Sequence, residues 1–374
     1  MKLTLLFDGH TFDMEPQGTS TFLAGLINAL PRIASERFPG VTLDIHCAAE
    51  RAENVMTYVN VPHTFQRIRT GFLVRNTLDL PRLSKHIMAD VVVSQYVRPI
   101  WAYKRTACII HDLLFIDFPR QFSAKYRISR TILFGLSARY SSYVFTVSDY
   151  SRERISDIYR MDPRLISVLA NAITPCATVS SEQECVLGRK NQIRLLYVSR
   201  FEQRKRQDWC LRVLEDLVQQ GHNVRLTLIG SGNGEYASRV CKLIQELKNV
   251  DGERITYLEG VSQDRLEQAY AETDVFLFPS LGEGFGIPVI EAASHGVPCV
   301  VTNGSALSEL RDYYVGKSFE PENYSHFLAA VQDLIKNLDS YKMQARENAK
   351  NLIDHFSWEK TAFRFLDTIL PLQK

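Results

Sequence analysis

The feature that most constrains the fold is an alternation of short β-rich runs with helical patterns, which occurs twice along the chain. In the first half, runs such as residues 3–7 and 108–111 are separated by helical stretches such as 126–140. From residue 193 onward the alternation begins again. It is typical of a parallel sheet covered by helices on both faces, because parallel strands need a crossover connection. Ligands of such α/β sheets gather at the carboxyl ends of the strands.

A polar stretch without period, NAITPCATVSSEQECVLGRKN, separates the two series. The chain has 374 residues, which is more than a single hydrophobic core usually supports. We therefore expect two α/β domains, over residues 1–172 and 191–355, joined by a linker over 173–190. Residues 356–374 are predicted to form a further helix.

The charge is distributed unevenly. The net charge of +2 argues against a general nucleic-acid-binding protein, so no nucleic-acid partner is expected. Between residues 63 and 164, however, 17 Lys and Arg face 8 Asp and Glu, a local excess of +9. This basic region indicates contact with phosphorylated substrates or peripheral contact with an anionic membrane; a solvated basic face is the alternative.

The cysteines and the N-terminal residues indicate the cellular compartment in which we expect the protein. Seven cysteines are dispersed without C-x-x-C spacing, which favours a reducing environment and argues against a zinc site. The start MKLTLLFDGH has an apolar run interrupted by Asp8, as in a first strand rather than a signal peptide. No stretch approaches the ~20 apolar residues of a spanning helix. We expect a cytoplasmic protein, either soluble or peripheral at the inner face of the plasma membrane.

The most informative local sequence is EGFGIPVIE, which begins at Glu283 and ends at Glu291. Three glycines surround Glu283, and glycine permits both positive φ and close backbone approach. Pro288 suits the first turn of a helix, so the pattern predicts a turn followed by a helix that carries Glu291. Amide groups at such a helix start favour an anionic or polyhydroxy ligand. Alone, Glu283 would be a solvated loop carboxylate and Glu291 a helix-turn cap; the glycines between them favour a functional role.

This stretch resembles the E-x7-E signature of retaining glycosyltransferases with the GT-B fold, which use nucleotide sugars. The resemblance implies two Rossmann-like β/α/β domains facing across a deep cleft, the first binding the acceptor and the second the nucleotide sugar. It also implies that the helix at 356–374 crosses back to the first domain. Glu283 would face the donor sugar, and Glu291 would hold the ribose. The rest of the turn would line the donor site: Gly284, Phe285, Gly286 and Ile287.

Two cations follow the first strand of the second domain, Arg200 and Lys205 in YVSRFEQRK. Placed five residues apart at a strand end, both can reach a diphosphate. In the resembling family such a pair stabilises the departing nucleoside diphosphate, which implies no metal and no cofactor. Arg204 and Arg206 crowd the same loop and leave open which cations touch phosphate; a basic surface loop is the alternative. We expect Glu283→Ala or Lys205→Ala to lower turnover by orders of magnitude and leave folding intact.

Further donor contacts are expected from glycine-containing loops. Gly230 and Ser231 end the second strand of the second domain, and Gly260 and Val261 follow the third. A glycine turn is common in α/β proteins, so these positions carry weight only through the resemblance, which places them near the diphosphate or base. In the first domain Gly18 begins a helix whose amides are predicted to meet the donor phosphates. The family has two glycines there, and their partial replacement leaves room for Thr19 or Ser20; a plain helix cap is equally compatible.

His111 ends a hydrophobic strand of the first domain (ACIIHD), and the resemblance implies that it contacts the donor sugar in a loop facing the cleft. Asp112 would orient His111 or the acceptor. Ser148 and Ser151 match positions that contact phosphate or cap a helix, and capping is favoured. Asn171 is expected to be structural.

The sequence therefore predicts a metal-independent retaining hexosyltransferase. Its donor would be a UDP- or GDP-sugar, of the GDP-mannose or UDP-glucose type. Its acceptor would be a glycan or lipid-linked glycan of surface polysaccharide biosynthesis in the cell envelope. The alternatives are a non-catalytic sugar-nucleotide-binding or scaffolding subunit, and a GT-B-fold epimerase or phosphorylase.

Overall fold

The computed structural model describes residues 1–15, 17–69, 71–173 and 192–370. Within it the chain divides into two compact units. Unit 1 comprises Met1–Thr174 and Phe356–Lys374, and unit 2 comprises Pro175–His355. Apart from Ile173, the predicted linker over 173–190 lies outside the described residues.

Unit 1 contains a sheet of seven parallel strands in the order β3-β2-β1-β4-β5-β6-β7. The strands are β1 (Lys2–Asp8), β2 (Thr42–Ala49), β3 (Thr64–Arg67), β4 (Val91–Gln95), β5 (Arg105–Ile109), β6 (Tyr143–Thr146) and β7 (Ile166–Val168). The central strands β1 and β4 are buried along most of their length, as expected for a parallel sheet covered on both faces. The short strands β3 and β7 lie at the two edges.

The helices of unit 1 fill the crossovers between these strands. They are α1 (Gly18–Arg37), α2 (Ala52–Tyr58), α3 (Phe72–Val74), α4 (Leu80–His86), α5 (Leu114–Asp117), α6 (Ala124–Tyr140) and α7 (Asp149–Tyr159). A π-helical turn, Arg75–Asp79, joins α3 to α4. Ser123 and Ser148 begin α6 and α7 by accepting hydrogen bonds from backbone amides of the first turn, which otherwise lack partners.

Unit 2 contains a six-stranded parallel sheet in the order β10-β9-β8-β11-β12-β13. The strands are β8 (Ile193–Val198), β9 (Val224–Ile229), β10 (Ile255–Leu258), β11 (Val275–Phe278), β12 (Cys299–Thr302) and β13 (Gly316–Phe319). The helices are α8 (Gln207–Gln219), α9 (Glu235–Asp251), α10 (Gln263–Ala271), α11 (Ile287–Ser294), α12 (Tyr324–Lys336) and α13 (Leu338–His355). The predicted α/β class is confirmed for both sheets.

Each sheet has a point at which its strand order reverses. In unit 1 the chain runs outward in one direction from β1 and in the other from β4, and in unit 2 the same holds for β8 and β11. Such a reversal leaves a crevice at the carboxyl ends of the two strands, because their following loops diverge. The loops that matter in unit 1 therefore follow Asp8 and Gln95, and those in unit 2 follow Val198 and Phe278.

The last helix, α14 (Trp358–Ile369), packs in unit 1 against α1. Gly25 on α1 makes the contact close: a Cβ at that position would lie 2.1 Å from the indole ring of Trp358. Phe22 meets the same ring edge-on at 5.9 Å. Among the described residues, no helix combines the length and the apolar character that crossing a bilayer requires.

Candidate functional site

The loops after β8 and β11 bring Lys205 and Glu283 into a buried ion pair. The ammonium Nζ of Lys205 donates to Oε1 of Glu283 at 2.5 Å, and Oγ of Ser280 donates to the same oxygen at 2.6 Å. Each of the two charged side chains is only 10% exposed. The structure thus places two predicted site residues, which are 78 positions apart in the sequence, in direct contact.

Arg204 extends this pair into a charged network. Its guanidinium donates to the carbonyl of Gly282 at 2.7 Å and lies 3.4 Å from Oε2 of Glu283. Its other terminal nitrogen contacts Glu202 at 2.7 Å, and Glu202 in turn contacts Arg200 at 2.8 Å. The cations and carboxylates alternate, so three positive side chains surround two negative ones at the strand-order reversal of unit 2.

The electrostatics of the network keep Glu283 ionised. Burial alone would raise the pKa of its carboxyl, but Lys205 and Arg204 outweigh burial and hold the pKa below its ordinary value. The pKa of Lys205 is also lowered, because burial and the charge of Arg204 together exceed the attraction of Glu283. Removing one member leaves an uncompensated buried charge, which is strongly destabilising. Because both side chains are buried, the prediction that Glu283→Ala or Lys205→Ala leaves folding intact is revised, and each substitution is expected to lower the free energy of unfolding.

Arg200 is the more accessible cation. Its side chain is 57% exposed, whereas that of Lys205 is 10% exposed. The backbone of its loop is held firmly: Gln207 donates to the carbonyl of Arg200, and Tyr197 donates to that of Lys205, both at 2.8 Å. Arg206, the other cation in this loop, begins α8 with a left-handed backbone and lies 3.9 Å over the ring of Trp209.

Gly230 and Ser231 meet this loop through their backbone. Gly230 has φ 142°, and a Cβ there would lie 2.0 Å from the carbonyl oxygen of Ser199. The carbonyl of Ser231 accepts a hydrogen bond from the amide of Phe201 at 2.7 Å. The glycine is thus required by the packing of two loops. The packing nevertheless brings both predicted residues beside Arg200.

The glycine-rich turn after β11 is shaped by packing as well. Gly286, at φ 112°, begins α11, and a Cβ there would lie 2.6 Å from Leu307. Phe285 is buried, whereas Gly284 and Ile287 are partly exposed. The amide of Glu283 donates to Oγ of Ser305 at 3.0 Å, which ties the turn to the loop after β12.

Glu291 lies in the second turn of α11 and accepts a hydrogen bond from the hydroxyl of Tyr270 at 2.9 Å. Burial raises the pKa of its carboxyl, as does the nearby Glu267. His295 on the same helix stacks on the ring of Tyr270 and lies 2.7 Å from Glu267. The idea of Glu291 as a mere helix-turn cap does not describe its side chain, which is held by Tyr270 from α10.

Gly260 and Val261 follow β10 and lie further from the reversal point than Gly230 and Ser231. Gly260 adopts φ 57° and is exposed, with open space where a Cβ would stand. The two loops are linked by a backbone hydrogen bond from the amide of Gly230 to the carbonyl of Leu258 at 3.0 Å. All the loops predicted for the donor in unit 2 thus occupy one edge of its sheet.

In unit 1, His111 follows β5 and is buried. Its Nε2 lies 2.7 Å from Oε1 of Gln95, and Nε2 of Gln95 donates to Oγ1 of Thr11 at 3.2 Å. Because an amide oxygen only accepts, the proton belongs on Nε2 of the imidazole. Burial lowers the pKa of His111 from 6.5 to about 3, so the ring is neutral at pH 7. Asp112 accepts from the hydroxyl of Tyr96 at 3.2 Å.

Gln95 is the residue that sequence reasoning missed in unit 1. It ends β4 and so lies at the strand-order reversal, which is the signal that would have identified it. In unit 2 sequence reasoning missed Ser280, and it left open the role of Arg204. Ser280 closely follows β11, so it lies at the strand-order reversal of unit 2 as Gln95 does in unit 1. Glu202 precedes Arg204 by two positions, and this acidic residue could have indicated a buried network.

At the start of α1, Gly18, Thr19 and Ser20 differ in exposure and in hydrogen bonding. Ser20 is buried, and its hydroxyl both accepts from the amide of Gln17 and donates to its carbonyl, so Ser20 serves the helix start. The hydroxyl of Thr19 is buried but makes no hydrogen bond within the described residues. Gly18 is exposed as the first residue of the helix. Thr19 therefore keeps an unused polar atom, and Ser20 does not.

The capping interpretation of the serines after β6 is confirmed. Oγ of Ser148 accepts from the amide of Ser151 at 3.1 Å, and Oγ of Ser151 donates to the carbonyl of His111 at 3.0 Å. Asn171 is buried, in keeping with a structural place. Within the ranges that the structure describes, no three His, Cys, Asp or Glu side chains are grouped as ligands of a metal ion.

Comparison with known proteins gives a consistent result. Residues 181–352 match the family described as glycosyl transferases group 1. O-antigen chain mannosyltransferase B of Escherichia coli is 30% identical over 225 residues, which cover 58% of this chain and 57% of that protein. An uncharacterized glycosyltransferase of Methanocaldococcus jannaschii is 25% identical over 237 residues, 61% of this chain and 59% of its own length. The matches thus span little more than half of these relatives.

Among solved structures, Anabaena HepE in complex with UDP-glucose aligns with a TM-score of 0.72 and 17% identity, covering 99% of both chains. A sucrose-phosphate synthase from Thermosynechococcus elongatus aligns with a TM-score of 0.72 and 16% identity, covering 98% of both. At these identities the likeness concerns the fold.

Proposed function

We propose that this chain, which has the GT-B fold and whose residues 181–352 match the glycosyl transferases group 1 family, is a retaining glycosyltransferase. It moves a hexose from a nucleoside-diphosphate sugar to a hydroxyl group of a glycan or lipid-linked glycan. The observation that carries the proposal is the charged network at the strand-order reversal of unit 2, where Arg200, Arg204 and Lys205 outnumber Glu202 and Glu283.

The excess positive charge suits a leaving nucleoside diphosphate. Arg200 has an exposed guanidinium at the carboxyl edge of the sheet, and a guanidinium binds phosphate oxygens in bidentate fashion. Lys205 and Arg204 lie behind it, fixed by Glu283 and therefore already oriented before charge develops. Fixed charges of this kind are usually the largest contribution to such catalysis. We assign Arg200 and Lys205 to the diphosphate and Glu283 to the donor sugar.

The finer assignments extend this proposal. His111, held neutral and oriented by Gln95, offers the donor sugar a hydrogen-bonding group that does not change charge near pH 7. Glu291, fixed by Tyr270, is assigned to the ribose. The attack on the sugar takes place on the face from which the diphosphate leaves, so the configuration is retained. The transfer proceeds without a metal ion or another cofactor, since side-chain cations take the developing charge.

The donor is a UDP- or GDP-sugar. The E. coli relative is a mannosyltransferase, which favours GDP-mannose, whereas HepE was solved with UDP-glucose. The O-antigen relative also supports a place in surface polysaccharide biosynthesis. We place the protein in the cytoplasm because its dispersed cysteines favour a reducing compartment. A non-catalytic sugar-nucleotide-binding subunit would need the same donor contacts but no transfer.

Transfer itself separates these possibilities. Purified protein is incubated with radiolabelled UDP-glucose, UDP-galactose or GDP-mannose and a lipid-linked glycan extract, with and without EDTA. We expect one donor to release its nucleoside diphosphate and label the acceptor to the same extent in both conditions, with the donor's anomeric configuration retained in the product by NMR.

Three results would count against the proposal. Loss of transfer in EDTA, restored by added metal, would exclude metal independence. An inverted product would exclude retention. Tight binding of a donor without turnover on any extract would favour the non-catalytic subunit.

A further inference from the structure

Exposed apolar side chains are concentrated in one part of unit 1. Seventeen large hydrophobic side chains are exposed among the described residues, and eleven of these lie in the stretch from Leu73 to Tyr140. Apolar residues scattered singly over a surface are normal, but a contiguous group marks an interaction surface. The same part of the chain carries the basic excess, so apolar and positive groups occur together.

Helix α6 carries the centre of this surface. Ile128, Ile132 and Leu136 follow one another at four-residue spacing and are 63%, 56% and 47% exposed. Residues at this spacing share one face of a helix. The opposite side, with Phe134 and Ala138, is buried in the core of unit 1. Thus α6 is apolar on the side that faces away from its own sheet, where a helix of a soluble domain is normally polar.

The cations of α6 are not balanced within the helix. It contains Lys125, Arg127, Arg130 and Arg139 but no Asp or Glu. Lys125 lies three positions before Ile128 and Arg139 three positions after Leu136, so both cations fall on the same face of the helix as the apolar stripe. This face therefore combines apolar groups with uncompensated positive charge.

Two neighbouring segments continue the surface. Arg98 anchors the loop after β4 to the end of α6, because its guanidinium donates to the carbonyl of Tyr140 and its amide donates to Oγ of Ser137. The guanidinium of Arg130 lies 5.1 Å over the ring of Phe72 in α3. These segments add further exposed apolar side chains: Leu73, Ile100, Trp101 and Tyr103.

We propose that this surface, which we call the α6 face and define by Lys125, Ile128, Ile132, Leu136 and Arg139 with Trp101, docks unit 1 on an anionic lipid bilayer. An amphipathic helix lying in a membrane interface buries its apolar face among the headgroups, while Lys and Arg bind anionic lipid. Trp and Tyr side chains are favoured at that depth. A second copy of the chain is a poorer occupant, because two such faces would bring like charges together without an acidic partner.

The proposal is independent of the proposed activity, because lipid binding is measured without donor or acceptor. The protein is sedimented with sucrose-loaded vesicles of phosphatidylcholine alone and of phosphatidylcholine with about one third phosphatidylglycerol, a composition that gives a negative surface potential. We expect the protein to pellet with the anionic vesicles and to be released by high salt.

Two variants address the two components of the face. Lys125→Glu with Arg139→Glu reverses its charge, and Ile128→Ser with Ile132→Ser removes its apolar stripe. Each is expected to lower the vesicle-bound fraction about tenfold, since both components contribute to binding. The matched control, Val250→Ser with Lys248→Glu, alters one exposed apolar residue and one cation on α9 of unit 2 and should bind as the parent does. All variants are first compared by circular dichroism, and their exposed positions predict an unchanged fold.

The fluorescence of Trp101 gives a second readout. The chain has three tryptophans, and Trp101 is 68% exposed whereas Trp358 is 8% exposed. Anionic vesicles should shift the emission to shorter wavelength in the parent but not in Trp101→Phe. Equal binding to neutral vesicles, or equal loss in the α9 control, would overturn the proposal. So would a parent dimer that the stripe variant converts to a monomer with unchanged vesicle binding, because the face would then join copies of this chain.

Discussion

The two strand-order reversals of this chain are built with different chemistry. In unit 2, the crevice is lined by a network of charged side chains in which Lys205 and Arg204 hold Glu283. In unit 1, His111 at the equivalent edge is kept neutral by burial and hydrogen-bonded to an amide. The reversal of unit 1 also holds a buried ion pair, in which Arg75 lies 3.3 Å from Asp8, so the contrast concerns only the groups at His111 and at Glu283. Under the proposed function, the network of unit 2 stabilises charge that develops during the reaction, and the neutral His111 orients an uncharged part of the donor.

The largest expected effect is a loss of turnover when either of two cations of unit 2 is replaced, and the accompanying change in stability distinguishes Lys205 from Arg200. Lys205→Met and Arg200→Ala should each lower kcat by about 10²–10³-fold, the usual result of removing one group that stabilises developing charge. Lys205→Met should also cost several kcal/mol in the free energy of unfolding, because Glu283 loses a buried partner. Arg200→Ala should change that free energy by less than about 0.5 kcal/mol, since its side chain is mostly exposed.

Steady-state kinetics and denaturant unfolding together test this pair. Equal losses in the free energy of unfolding would mean that the side chain of Arg200 contributes to stability as much as that of Lys205. The distinction between an exposed and a buried cation would then be wrong. Full activity in Lys205→Met would contradict the assignment of the network to catalysis.

A second effect concerns the backbone that positions Arg200. Gly230→Ala introduces a Cβ 2.0 Å from the carbonyl oxygen of Ser199 at φ 142°, and should cost about 3 kcal/mol or more from strain and overpacking. Gly260→Ala is the matched control, with positive φ but open space, and should cost about 1–2 kcal/mol. Similar melting temperatures for the two variants would show that the loops do not pack as described.

A smaller effect, on the pH dependence of the free energy of unfolding, tests whether His111 is neutral in the folded protein. The pKa of His111 is about 3 in the folded protein against 6.5 for an ordinary histidine, so the unfolded state binds the proton first as pH falls. The free energy of unfolding should decrease below pH 6.5 by about 1.4 kcal/mol per pH unit from this residue. His111→Gln should remove that slope. Between pH 6.5 and 4.5 carboxylates with lowered pKa, such as Glu283, keep their charge and do not obscure it. An identical slope in the variant would place His111 in a solvated environment.

The sequence predicts unit 2 better than unit 1 for a physical reason. In unit 2 the inner strands are mostly apolar, and the alternation predicted from residue 193 onward matches them, from Ile193–Val198 to Cys299–Thr302. In unit 1 the short edge strands Thr64–Arg67 and Ile166–Val168 are half polar, because an edge strand is partly solvated, and their pattern did not identify them. The π-helical turn at Arg75–Asp79 has no sequence signature at all.

Some features of the candidate site could be predicted from the sequence, and others could not. The glycine turn and the spacing of Arg200 and Lys205 could be recognised from the sequence, because loop geometry depends on residues that are close together in the chain. The pairing of Lys205 with Glu283, and of His111 with Gln95, depends on which strands are neighbours in the sheet. Sequence alone gives the strands without their order, so it assigned Lys205 to phosphate without the carboxylate that holds it, and it paired His111 with Asp112 rather than Gln95.

Nucleotide binding by calorimetry tests the central claim most directly. UDP and GDP are titrated into the parent protein and into Arg200→Ala, whose folding should be unaffected. We expect one of the two diphosphates to bind the parent, and Arg200→Ala to weaken that binding about tenfold or more, the effect of losing one charge-assisted contact of about 1.5–3 kcal/mol. Binding of neither nucleotide, or equal affinity in the variant, would contradict the account.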